Sequence, residues 1–180
     1  MRHLLSIIIL GLVISFFSCS DDDEWAEFNE WRKLNLADFV EKTSEVVDGE
    51  KVYDMVIPEW NNTAYILRKR GYKEGTGTQS PYYTSTVAVN YVMSTIDGEV
   101  YQSTADADTV TTLKVNEQIT GLQIALQYMK VGDSCEFVIP AELAYGSIIK
   151  YDMFGNLILR PYSNLVVNIK LIDIPGLNKE

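Results

Sequence analysis

Imidazole and thiolate chemistry find almost no material in these 180 residues. The one histidine, His3, and the first of two cysteines, Cys19, sit at the two ends of a leading apolar run, which leaves Cys135 alone in the body of the chain. Neither a Ser-His-Asp nor a Cys-His nucleophile can be assembled from that set, nor a zinc site built on histidines or clustered thiolates. Asp106-Ala107-Asp108 falls short of the ligand count of a calcium loop and reads as a solvated turn. Asp133 and Glu142 are isolated carboxylates rather than a pair able to flank one bond. No phosphate-binding Gly-rich loop with its Lys-Ser/Thr and no dinucleotide fingerprint occurs. The chain is therefore expected to need no metal and no cofactor. The stretch Glu117 to Gly146 is the densest in structure. It joins a short amphipathic helix, a Val131-Gly132-Asp133 turn, a strand and an Ala144-Tyr145-Gly146 corner.

The elements that must position this stretch can be read from periodicity. Ile119, Leu122, Ala125 or Leu126, and Met129 recur at three- and four-residue spacing, so one helix can lay that stripe on a sheet, and Gly132 follows where it should stop. Ala64–Leu67 and Thr86–Met93 read as strands. Asp97-Gly98 is a hairpin turn that returns through Glu99-Val100-Tyr101, and Leu113–Val115 is a short strand. Cys135–Ile139 and Asn164–Ile174 complete the set, and Pro175-Gly176 ends it. Cys135, inside a strand-like run, is expected as a small buried apolar residue with no disulfide partner. One helix among antiparallel strands is an α+β domain, placed at residues 60–176. Residues 25–59 are expected as a helical extension, in which Trp25, Phe28, Trp31, Leu34 or Leu36, and Phe39-Val40 form an aromatic stripe that packs on the same chain, with a break at Ser44–Gly49.

The beginning of the chain carries targeting information. Basic Met1–His3, the apolar run Leu4–Phe17 and then Ser18-Cys19 have the order of a signal peptide, and the run is short for a membrane span. The cysteine after Ser18 resembles a bacterial lipobox, although Phe16 and Phe17 stand where Leu and a small residue are usual. Residues 1–18 are thus expected to be removed, Cys19 to be lipidated, and 19–24, with acidic Asp21–Glu24, to tether the domain. The acidic run also resembles the export signal of surface lipoproteins of Bacteroidetes type. This implies an exported outer-membrane lipoprotein, displayed on the cell's outer face. Loss of residues 1–18 takes the formal charge from −10 to −11, a balance that repels nucleic acid and anionic lipid. The lipid anchor, not electrostatics, would hold the domain at a membrane.

Over about Trp60 to Ile174 the collinear pieces Glu74-Gly75-Thr76-Gly77, Val87–Tyr91, Asp97-Gly98 with Tyr101, Ile119-x-Gly121-Leu122, Met129-x-Val131-Gly132, Pro140 with Ala144-Tyr145-Gly146, and Pro161 with Leu165–Val167 resemble the FKBP family of peptidyl-prolyl isomerases. The resemblance implies a twisted antiparallel β-sheet wrapped around one central α-helix, and an apolar cleft that binds proline-containing polypeptides. Carried over position by position, Tyr145 would donate its hydroxyl to the substrate backbone and Tyr101 would be the pocket aromatic. Ile119 would bind a substrate carbonyl through its N–H. Tyr91 and Val167 would form walls, and Ile158 and Leu159 would lie near the apolar flap.

The chain departs from the pattern at three pocket positions. Leu122 replaces the tryptophan that floors the cleft, Gln102 an aspartate beside it, and Leu113 a frequent phenylalanine. Residues 147–160 also exceed the family's minimal flap and read as an apolar hairpin about Gly155-Asn156. Two readings therefore stand: a folding catalyst acting on exported or envelope polypeptides, or a non-catalytic peptide-binding or chaperone module on the same scaffold. Without the resemblance, the same aromatic and β-branched residues would simply be sheet core.

Overall fold

The computed structural model describes residues 21–104 and 110–176. The leading apolar run, Cys19 and Asp106–Asp108 lie outside the described residues. In chain order the elements are α1 (Asp21–Ser44), β1 (Val46–Val47), β2 (Glu50–Lys51), β3 (Tyr53–Val56), β4 (Ile66–Lys69), β5 (Thr86–Ser94), β6 (Val100–Ser103) and β7 (Thr111–Lys114). They continue with α2 (Thr120–Gln127), β8 (Ser134–Ile139), β9 (Lys150–Tyr151), β10 (Leu157–Leu159) and β11 (Leu165–Asp173). The main sheet runs β3-β4-β8-β11-β5-β6, and β7 pairs the first half of β5. Every pairing in it is antiparallel, so this is the α+β architecture expected of the chain.

Period-two alternation explains the inner face. Val87, Val89, Tyr91 and Met93 of β5 and Leu165, Val167, Ile169 and Leu171 of β11 enter one buried cluster. Phe137 and Ile139 of β8 join it, as do Leu122, Ile124, Ala125 and Leu126 of α2. Cys135 is buried in the same cluster, and burial pushes its thiol up to about 12, so it remains protonated. Gly121 lets the first turn of α2 lie directly on β8, because a Cβ there would come within 2.2 Å of Ile139 Cγ2. Alanine normally favours a helix over glycine by about 1 kcal/mol. Here the clash decides the sign, and Gly121→Ala is expected to lower stability by about 1–3 kcal/mol, read as a lower urea midpoint.

The outer face is covered as well, which the alternation of β8 alone does not announce. Val138 and Leu67 point away from α2 and pack with Phe39 and Tyr53, so α1 lies behind the sheet. The inward stripe of α1 is Phe28, Trp31, Asn35 and Phe39, all under 8% exposed, whereas Leu34 and Leu36 are 59% and 64% exposed. The expectation that Leu34 or Leu36 completes the stripe is corrected: at helical spacing the inward position between Trp31 and Phe39 is Asn35, a polar residue. Residues 45–59, expected within a helical extension, instead form the β1–β2 hairpin and β3, which joins the sheet through Tyr53↔Lys69 to Val56↔Ile66.

Candidate active site

Three tyrosines from three separate segments come together against the main core cluster. Tyr91 comes from β5 and Tyr101 from β6. Tyr145 lies just after a turn of 3-10 helix, Ala141–Leu143, that follows β8. Thr104 secures the β5–β6 pair: its Oγ1 accepts from the Tyr91 N–H at 2.8 Å, and its N–H donates to the Tyr91 carbonyl at 2.9 Å. The Tyr101 and Tyr145 rings lie edge to face, centroids 5.5 Å apart at 72°, a favoured aromatic geometry. Burial, then a hydrogen bond with the Tyr101 side chain, raises the Tyr145 phenol above its ordinary value. Tyr91 is raised by burial and by Tyr101. Tyr145 and Tyr91 are therefore neutral hydroxyl donors at neutral pH.

Its floor is apolar. Tyr91, Leu122, Leu159 and Val167 are buried in the main core cluster, and Tyr101, Leu113, Ile119 and Tyr145 pack half-buried against it. Ile119 caps α2 with φ −57° and ψ 149°. Its carbonyl accepts from the Leu122 and Gln123 N–H groups at 3.0 Å each, while its own N–H donates to no group among the described residues. Such a free amide beside an apolar floor can take a ligand carbonyl. Ile158 is 38% exposed on β10. Gln102 is exposed on β6 and the structure does not bring its side chain into the cluster.

Two features at this end of the molecule have no signal in the sequence pattern. Lys150 of β9 places its Nζ 4.6 Å from the centroid of the Tyr145 ring. Arg160, just after β10, reaches Asp97 Oδ2 at 3.3 Å, tying the flap hairpin β9–β10 to the β5–β6 turn. The Thr95 hydroxyl first, then the Glu99 N–H and Arg160, hold the Asp97 carboxyl below the usual carboxylate range, against the opposing effect of burial. A depressed folded value contributes stability above the unfolded value of about 4 and loses it as pH falls through the folded one. Asp97→Asn is therefore expected to lower the plateau near neutrality and to flatten the acid limb, the two stability curves converging at low pH, measured as urea midpoint against pH.

Two grooves, of about 430 and 460 Å³, lie elsewhere, one between α1 and the Pro140–Leu143 turn and the other around Trp60, Tyr82 and Tyr128. Neither includes any of the cluster residues. Among the described residues no group of three His, Cys, Asp or Glu could hold a metal ion, and no helix is long and apolar enough to cross a membrane.

Residues 77–172 match the model of a family described as FKBP-type peptidyl-prolyl cis-trans isomerase. The chain is 30% identical over 173 residues to the macrophage infectivity potentiator of Trypanosoma cruzi, spanning 95% of this chain and 80% of that protein. It is 37% identical over 100 residues to the outer membrane protein MIP of Legionella longbeachae, spanning 56% of this chain but only 40% of that one. The crystal structure of FkpA from Escherichia coli superposes with a TM-score of 0.64 at 24% identity, over 85% of this chain and 65% of that one, a likeness of fold.

Proposed function

The chain belongs to the FKBP-type peptidyl-prolyl cis-trans isomerase family, and on that premise we propose that the tyrosine cluster is a prolyl-isomerase cleft acting on proline-containing polypeptides. The observation that carries this is the meeting of the Tyr145 and Tyr101 phenols over the Leu122–Val167 floor, with the unpartnered Ile119 N–H at its edge. Rotation about an Xaa-Pro bond must cross about 20 kcal/mol because amide resonance is broken on the way. No nucleophile is called for. The twisted amide is less charge-separated than the planar one, so an apolar floor that excludes water favours it over the ground state. The Tyr145 hydroxyl and the Ile119 N–H then hold the flanking carbonyls, and Tyr91 and Val167 seat the pyrrolidine ring. Each tenfold of rate needs about 1.4 kcal/mol of such differential binding.

Because its donors are phenols raised above their ordinary values, kcat/KM is expected to be flat from about pH 6 to about pH 9. A bell-shaped profile in that range would show that a titrating group outside this cluster takes part.

The leading segment supports export: the apolar run followed by Ser18-Cys19 and an acidic stretch fits lipidation at Cys19, removal of residues 1–18 and attachment to the outer membrane, on the outer face in the manner of Bacteroidetes lipoproteins. Residues 60–176 would then form the catalytic body and 25–59 an extension whose α1 packs behind the sheet and whose β3 joins the sheet's edge. A protease-coupled isomerisation assay on Ala-Xaa-Pro-Phe peptides tests the catalytic reading. Turnover above buffer supports it. A folded chain with no turnover would favour a peptide-binding module, in line with Leu122 in place of a pocket tryptophan and with Gln102 turned to solvent.

A further inference from the structure

We propose that Asn35 of α1 is a positioning residue for the cleft, holding the two roots of the flap, Ala141–Gly146 and Arg160–Asn164, from behind the sheet. Its catalytic consequence rests on the isomerase reading above; its structural consequence does not. Asn35 is 1% and Asn164 3% exposed, and each satisfies the other. Asn35 Oδ1 accepts from the Asn164 N–H at 2.7 Å, and Asn164 Nδ2 donates to the Asn35 carbonyl at 2.6 Å. The remaining acceptor, Asn164 Oδ1, takes the Ala141 N–H at 3.0 Å. A buried relay thus runs from α1 through one root of the flap to the other, four residues before Tyr145.

Neighbouring contacts share the task. Trp31 Nε1 donates to Ser163 Oγ at 2.8 Å, Arg160 lies 4.4 Å from the Trp31 ring centroid, and Arg32 lies 4.5 Å from that of Tyr162. The two roots are also joined directly, since Tyr162, with φ +61°, donates its N–H to the Gly146 carbonyl at 2.7 Å. A left-handed backbone at a tyrosine persists only where its surroundings hold it there. Removing the Asn35 side chain leaves the buried Asn164 N–H without an acceptor, a loss felt first at the flap roots.

The test is hydrogen exchange of the full chain together with kinetics on Xaa-Pro peptides, for Asn35→Ala and for the milder Trp31→Phe, which keeps an aromatic ring at the position but loses the bond to Ser163 and part of the indole's packing. In Asn35→Ala, exchange at Gly146, Ile148 and Tyr162 is expected to rise about tenfold or more while β5 and β11 stay as they were. The fall in kcat/KM, about three- to tenfold, is expected in kcat with KM held, because the floor is untouched. Trp31→Phe should move both in the same direction by less. Unchanged exchange, or exchange that rises evenly across the flap and the β5–β11 core, overturns the proposal. If Asn35→Ala does not fold, Trp31→Phe decides by the same pattern. A wild-type chain without turnover would remove the isomerase reading and leave the exchange pattern to decide the inference alone.

Discussion

Tyr145→Ala is expected to lower kcat/KM on Xaa-Pro peptides by about thirty- to three-hundredfold. Two losses combine. A hydroxyl donor that acts on a carbonyl in a water-poor cleft is worth about 1–2 kcal/mol. The edge-to-face contact with Tyr101 adds about 0.5–1.5 kcal/mol, and its removal frees Tyr101 to move. At about 1.4 kcal/mol per decade the sum spans the stated range. Tyr145→Phe separates the two, because it keeps the ring against Tyr101 and removes only the hydroxyl. A loss of about tenfold is expected there. Progress curves in the coupled assay measure both, and if Tyr145→Phe equals wild type the hydroxyl has no part in the rate.

The largest expected loss of stability is at Gly75. The loop that carries it crosses the turn after α2 so closely that a Cβ on Gly75 would stand 2.2 Å from the Val131 carbonyl oxygen and 2.5 Å from the Gly132 Cα and carbonyl carbon. All three are backbone atoms, so no side-chain rotation relieves the overlap. The crossing is also held electrostatically. Asp133, 4% exposed, accepts the Gly75 N–H on Oδ1 at 2.6 Å and the Lys130 N–H on Oδ2 at 2.8 Å. Gly75→Ala must push the two segments apart and break that double acceptance, for an expected cost of about 3–5 kcal/mol. Against a total of about 5–15 kcal/mol for an ordinary domain, this is enough to leave much of the chain unfolded at 37 °C. Chemical denaturation of Gly75→Ala beside Asp133→Ala, expected to lose about 2–4 kcal/mol through its two orphaned N–H groups, measures both. A loss below about 1 kcal/mol for Gly75→Ala would mean that the loop yields easily.

Much of the fold could be read from the chain because its strongest elements announce themselves locally. The α2 stripe repeats at 3.6, β5 and β11 alternate over nine residues each, and Asp97-Gly98 and Gly155-Asn156 mark hairpin turns. β8 ends in three consecutive apolar residues, Phe137, Val138 and Ile139, which fits a strand buried on both sides there but does not say what covers its second face. The answer, α1, depended on reading a helix whose inward face includes Asn35 and whose outward face includes Leu34, Leu36 and Val40. Hydrophobicity points the wrong way there, because the inward position is chosen by a hydrogen bond to Asn164, 129 residues away. The same holds at the cleft. Tyr91, Tyr101 and Tyr145 could be named from their surrounding motifs, but Lys150 over the Tyr145 ring and the Arg160–Asp97 pair arise from the folding back of the flap, for which no spacing in the chain is diagnostic.

Cys135, the free thiol among the described residues, lies inside the sheet with its proton held firmly in place. Thiol–disulfide exchange starts from an accessible thiolate, and this sulfur offers neither charge nor access. Among the described residues no disulfide needs to form or can be lost, so the stability of the folded domain is expected to be the same under reducing and oxidising conditions.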